Sequence, residues 1–267
     1  MALLQIVWDI DPEIFSIGFI SVRYYGVLWA LSFLLGYMLF EKFVKIEKLP
    51  EGFLDSLTMY MLIGTIVGAR LGHCLFYQPE HYLAHPLEIL KIWEGGLASH
   101  GAAIGILLAM YLFSRKQKRS YLYVLDRIVI PVALAGFLIR VGNFMNSEIY
   151  GTVTTLPWGV IFVRDHQTLA KHPTQLYEAI SYLIFFGILL FIYFKAKAKP
   201  RTGLIFGSFL ALIFGARFFI EFIKEPQVAF ETTMALNMGQ WLSIPFVLIG
   251  LGLIVWAFQK KAVPLGT

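Results

Sequence analysis

The sequence predicts an all-α polytopic membrane protein. It has seven transmembrane helices, the N-terminus outside, the C-terminus cytoplasmic, and a small cap on the outer face between spans four and five. Three observations predict this. The 267-residue chain is 58% hydrophobic and 15% charged, with mean hydropathy +0.71, whereas a soluble domain carries about 25% charged residues. Seven apolar runs reach or approach the roughly 20 residues that a helix needs to cross the hydrocarbon. The lysines and arginines between these runs sit in alternate loops, as the positive-inside rule requires.

The seven runs cover residues 17–40, 53–76, 96–113, 121–144, 175–194, 203–222 and 238–258. They lack the period-two alternation of barrel strands. Lys42, Lys45 and Lys48 follow the first run. Arg115, Lys116, Lys118 and Arg119 follow the third, and Lys195, Lys197, Lys199 and Arg201 the fifth. With Lys260 and Lys261 in the tail, thirteen of the 22 lysines and arginines fall on one face. The opposite face carries Asp9, Asp11, Glu13, Glu80, Glu88 and Glu94, with Lys91 as its main basic exception. The first 22 residues contain no Lys or Arg, so they do not read as a cleavable signal peptide with a basic leading region. We read residues 1–267 as one transmembrane domain. Residues 145–174, with Gly151, Pro157, Trp158, Gly159 and Pro173, form an irregular or β-rich cap rather than a linker.

Composition excludes other classes. Disorder does not fit so apolar a chain. The net charge of +5 belongs to the membrane-facing loops, and no basic-aromatic pattern points to nucleic acid. Cys74 is the only cysteine. That rules out an internal disulfide or a Cys-based zinc site, and it reads as a small hydrophobe. No internal repeat of the kind that builds secondary transporters is evident.

Charges inside spans cost several kcal/mol and mark function by default. Here they are Arg23, Arg70, Arg140, Glu178, Arg217 and Glu221, joined by His73, His100 and Asn143. Most fall toward the outward ends of their spans. Any one arginine there reads plainly as an interfacial side chain reaching for water, but six spans doing so at one level point to a shared polar cavity.

The densest cluster runs from Arg140 through Gly142, Asn143, Asn146 and Glu148 to Gly151. Arg140 and Asn143 share a helical face. A guanidinium fork suits phosphate oxygens, while amides and a carboxylate suit hydroxyls. The plainer alternative is an Arg140–Glu148 ion pair with asparagines capping the helix. In a second cluster, spacings of four and seven put Arg217, Glu221 and Lys224 on one face, as a cationic wall or a salt-bridged helix end. A third places His100 among Gly95, Gly96 and Gly101, where an imidazole could move a proton or act as a structural donor. His172–Glu178 opens a helix with Pro173 at its first position. Arg23-Tyr24-Tyr25-Gly26 reads as interfacial belt or lipid contact.

Arg140-Val-Gly-Asn-Phe-Met-Asn-Ser-Glu-Ile-Tyr-Gly151 resembles the signature of the prolipoprotein diacylglyceryl transferase family. Tyr-Tyr-Gly, Gly-Ala-Arg-Leu-Gly, Gly-Gly-Leu-Ala-Ser-His-Gly, His-Pro-Thr-Gln-Leu-Tyr-Glu and Arg-Phe-Phe-Ile-Glu-Phe follow in family order, from residue 23 to about 226. The resemblance implies a multi-pass enzyme of the bacterial inner membrane with its active site toward the periplasm. It takes phosphatidylglycerol from the membrane lipid and moves its diacylglyceryl group to the thiol of the lipobox cysteine in a preprolipoprotein signal peptide. A thioether forms and glycerol 1-phosphate leaves. No metal or organic cofactor and no nucleic-acid partner is expected, and the chain is expected to act as a monomer.

The resemblance also implies site roles. His100, Arg140 and Arg217 are the candidate catalytic residues. Tyr25, Asn143, Asn146, Glu148, Gly151, Glu221 and Lys224 are the candidate substrate-binding ones. Two positions depart from the family pattern: Lys224, where the best-known members carry Arg, and Ile213, where some carry a Tyr. The alternative reading from another class is a membrane transporter of an anionic solute using the same arginines. A headgroup transferase acting on a sugar is a third.

Overall fold

A computed structural model describes residues 6–18, 20–92, 95–196, 201–226 and 234–260. Glu94, Lys197, Lys199 and Lys261 lie outside the described residues. The chain divides into two compact units, residues 1–39 with 126–267, and residues 40–125.

The first unit opens with three short strands, β1 (Ile6–Trp8), β2 (Glu13–Ile17) and β3 (Ile20–Arg23). β2 and β3 form an antiparallel hairpin that turns at Gly18, whose φ of 62° is left-handed. This corrects the expected start of span one. Ile17 and Ile20–Arg23 are strand and Gly18 is a turn, and helix α1 (Tyr24–Glu47) begins only after Arg23. Arg23 faces Glu13 across the hairpin. The β-branched, alternating run Ile-Ser-Val suits a strand, and its apolar content alone made it look continuous with the helix.

α1 runs into the second unit, and α5 (Tyr121–Met145) returns from it. The first unit then adds β4 (Val160–Phe162), α6 (Thr174–Ala196), α7 (Leu204–Ile220) and α8 (Met238–Gln259). β4 pairs in parallel with β1. The cap segment therefore has an N-terminal partner, closed by Trp8, Phe144 and Phe162. α7 starts on a carboxylate: Asp126, buried on α5, accepts from the amides of Gly203 at 2.7 Å and Phe206 at 2.8 Å. These are the orphan donors of a helix N-terminus. α8 starts on a capping box between Asn237 and Gln240.

The second unit contains α2 (Phe53–Phe76), α3 (Pro79–Ala84) and α4 (Ser99–Lys116). α2 and α4 cross on glycine. A Cβ on Gly68 would lie 2.5 Å from the Gly101 carbonyl oxygen, and one on Gly105 would lie 2.1 Å from that of Gly64. Small residues at four-residue spacing let the two backbones touch, as membrane helices do where apolar burial gives no drive.

Among the described residues six helices, α1, α2, α5, α6, α7 and α8, are long and apolar enough to cross a membrane. The chain is a polytopic membrane protein, with strands only of three to five residues among the described ones. α4 has 18 residues and ends in Arg115 and Lys116. It is not among the six.

Candidate active site

The polar groups of the first unit converge on one buried carboxylate. Glu178, in the second turn of α6, is fully buried. Its Oε2 lies 2.6 Å from Nε of Arg140 on α5, and its Oε1 lies 3.5 Å from Nζ of Lys224. Lys224 Nζ is also 3.6 Å from Oε2 of Glu221, and Arg217 Nε is 4.0 Å from that same oxygen. The chain of charges therefore runs Arg140, Glu178, Lys224, Glu221, Arg217. An uncompensated charge here would cost several kcal/mol, so each member depends on its neighbour.

Arg140 is held from two further directions. Its Nη1 donates to Oδ1 of Asn143 at 3.0 Å, and it hydrogen-bonds the Tyr182 hydroxyl. Asn143 in turn donates to Oε1 of Glu148 at 2.8 Å, and Asn146 donates to the same oxygen at 3.3 Å. The partner of Arg140 is Glu178, not Glu148, and Asn143 stands between the arginine and Glu148. Arg217 differs from Arg140. Its Nε is buried and has no hydrogen-bond partner, which leaves a cationic donor available inside the cluster.

Local structure places these groups. Gln175 donates to the backbone oxygen of Glu148 at 2.6 Å, and Thr174 to that of Ile149 at 3.0 Å. The start of α6 thus pins the chain where α5 ends. Tyr25 packs its ring on Gly142, where a Cβ would come within 2.8 Å of Cδ2. Gly151 lies against the segment after α7, and a Cβ there would sit 2.3 Å from the Ile223 oxygen. Any side chain at Gly151 would push Lys224 away. α7 stops at Ile220, residues 221–223 tighten into a 3-10 turn, and Lys224 is extended with φ −87° and ψ 144°. The uniform helical face expected for Arg217, Glu221 and Lys224 is thus replaced by a turn, which still brings all three together. His172, beside this region, sits below the usual imidazole range because burial disfavours its charged form.

His100 belongs to the second unit. It is the second residue of α4 and is exposed. Its backbone is fixed on both sides: Ala98 donates to the Ala69 oxygen at 2.9 Å, and Gly101 is pressed against Gly68 and Gly72. Arg70 is buried in the same unit. It donates to the backbone oxygens of Glu88, Ile89 and Gly95 at 2.6, 2.9 and 2.7 Å. It therefore ties down the loop that precedes His100.

Sequence reasoning flagged Glu178 as an intramembrane charge but left it out of the site, and Tyr182 was not singled out. For Glu178 the signal was present: a carboxylate in an otherwise apolar span requires a cation. Tyr182 carried none, since a tyrosine in such a run reads as packing.

The model of the family described as prolipoprotein diacylglyceryl transferase matches residues 12–256. The chain belongs to this family. A protein of Tolumonas auensis named phosphatidylglycerol--prolipoprotein diacylglyceryl transferase is 52% identical over 256 residues, covering 96% of this chain and 98% of its own length. One of Chloroherpeton thalassium with the same name is 50% identical over 258 residues, covering 96% of both chains. One of Bacteroides fragilis, also so named, is 44% identical over 274 residues, covering 98% of both.

Proposed function

We propose a reading of this site in terms of the family's reaction. The chain transfers the diacylglyceryl group of phosphatidylglycerol to a prolipoprotein, the first step of lipoprotein maturation. The acceptor is the lipobox cysteine. Its thiolate attacks the glyceryl carbon, a C–S bond forms, and the C–O bond to phosphate breaks with its electron pair on the phosphate oxygen. Glycerol 1-phosphate leaves.

The Nε of Arg217, which has no hydrogen-bond acceptor and only the Glu221 carboxylate at 4.0 Å, stands at the end of the Arg140–Glu178–Lys224–Glu221 chain and carries this reading. A phosphodiester supplies the acceptor that this donor lacks, and cations placed where charge develops stabilise the departing phosphate. Arg140 shares that role, held in one orientation by Glu178, Asn143 and Tyr182. Asn143, Asn146 and Glu148 address the glycerol hydroxyls. Tyr25 and Gly151 shape the lipid side, and Glu221 and Lys224 complete the pocket wall. His100 takes the thiol proton, a task that needs help because a free thiol ionises near pH ~8.5.

In this reading α4 is the seventh span, and at about 1.5 Å per residue its 18 residues can nearly cross the hydrocarbon. The N-terminus and the residue 145–174 cap face the periplasm, the C-terminus faces the cytoplasm, and the whole chain is one monomeric domain of the inner membrane.

The test uses purified protein, phosphatidylglycerol and a synthetic lipobox peptide, with peptide mass and released glycerol phosphate followed together. A diacylglyceryl mass gain matched by glycerol phosphate is expected. No gain on a cysteine peptide from folded protein would contradict the reading and turn attention to solute transport.

A further inference from the structure

The cap is a backbone ladder that ends on Lys224. β1 pairs with β4, and Val160 of β4 exchanges both backbone hydrogen bonds with Lys171, at 3.0 and 2.8 Å. The segment around Lys171 pairs next with residues 151–154: Gly151 donates to the His172 oxygen and Thr154 to that of Ala170, each at 2.8 Å. Those residues pair in turn with the segment after α7. Thr152 donates to the Ile223 oxygen at 2.9 Å, and Gly151 faces Lys224 in an antiparallel bridge.

A side-chain ion pair also crosses this ladder. Lys171 is 7% exposed, and its ammonium bonds the carboxylate of Glu225 and lies 5.6 Å from the centre of the Tyr150 ring. Glu225 immediately follows Lys224. In extended backbone, successive side chains point to opposite sides. Anchoring Glu225 on the cap therefore aims Lys224 the other way, toward Glu178 and Glu221. A lysine needs such aiming, because its ammonium is a point charge on a flexible stem, without the rigid fork of arginine.

We propose that Lys171 is a positioning residue: by holding Glu225 it sets the direction of Lys224 and so closes the headgroup site. The inference rests on the site reading above. A latch of this kind acts on lipid binding and leaves the chemical step alone.

The experiment measures transfer kinetics of the full-length protein and of Lys171→Met, Lys171→Arg, Glu225→Gln, Lys224→Met and the double variants with Lys224→Met. Lys171→Met and Glu225→Gln should each raise KM for phosphatidylglycerol roughly tenfold, with kcat within about a factor of two. Lys171→Arg should restore KM. Neither change should add to Lys224→Met. An unchanged KM in Lys171→Met, or the same tenfold loss repeated in the Lys224→Met background, overturns the latch alone. Wild-type kinetics in Lys224→Met overturns the role of Lys224 itself, and the latch with it. Glu225, at 39% side-chain exposure, supplies the same test if Lys171→Met does not fold.

Discussion

Two arginines on apolar helices, Arg70 and Arg140, look alike in the sequence and are used differently. Arg70 ends on backbone carbonyls of Glu88, Ile89 and Gly95, and it lies 5.0 Å from the centre of the Tyr82 ring. Its charge-assisted bonds hold a loop. Arg140 ends on side chains: Glu178, Asn143 and Tyr182. Its partners are themselves tied to Lys224 and Glu148, and Arg217 stands at the far end, 4.0 Å from Glu221, with a buried donor that makes no hydrogen bond. The difference teaches that an intramembrane arginine is not by itself a sign of function. Donors committed to main chain build the frame, whereas in the proposed reading donors shared among carboxylates, one of them without a hydrogen-bond acceptor, build a place for an anion.

Substitutions should separate the two uses. The largest effect is expected from Arg140→Ala. It should lower transfer by at least about a hundredfold, the loss typical when one donor to developing charge is removed, while the protein still inserts in the membrane. Wild-type turnover in the peptide assay would break the comparison at once. Next comes His100→Asn. If the imidazole takes the thiol proton, kcat should fall about a hundredfold while KM for phosphatidylglycerol stays within about threefold. Equal losses in both would make His100 a structural group like Arg70.

Arg70→Met should act on stability. It removes the charged donor that the backbone oxygens of Glu88, Ile89 and Gly95 share, which costs on the order of 2–5 kcal/mol, read as a lower thermal midpoint. In protein that stays folded, lipid KM should be unchanged, and a selective loss of lipid binding would erase the distinction between the arginines.

The smallest effect concerns the same loop. Glu88 is held below the usual carboxylate range by its hydrogen bonds to Lys91 and then to His81. A depressed folded value means the tie is present above the ordinary carboxylate pKa of 4.5 and is lost as pH falls through the lower value. Acidification below that point should lower the amide-exchange protection of residues 79–91 relative to the intrinsic rate at each pH. It should not open the Arg70 contacts, which use the Glu88 main chain. Unchanged protection across this range would show that the side-chain tie holds nothing.

Much of this organisation was legible in the sequence, because bilayer thickness and charge asymmetry act on long stretches. Six of the seven apolar runs correspond to helices that meet the spanning criteria. Errors fell where a local geometry competes with composition. The sequence 17–23 is as apolar as a helix, yet the chain turns at Gly18, and Ile17 and Ile20–Arg23 pair in a hairpin. Lys224 follows Arg217 at helical spacing, yet α7 ends four residues before it, at Ile220, and Gly151 admits an extended strand there. Arg140, Asn143 and Glu148 could be grouped because they are close in sequence. Glu178, 38 residues beyond Arg140, could not be matched to it, since only the packing of α6 on the end of α5 brings it there. The pairing of β1 with β4 is equally non-local, and nothing in either three-residue segment announces the other.

The central claim is that the Arg140–Arg217 end of the first unit holds the phosphate of the lipid. The most direct test measures phosphatidylglycerol bound to the purified protein by native mass spectrometry, for wild type, Arg140→Met, Arg217→Met and Arg70→Met under identical lipid loading. The account predicts lost occupancy in the first two variants and wild-type occupancy in folded Arg70→Met. Full occupancy in both Arg140→Met and Arg217→Met would contradict it.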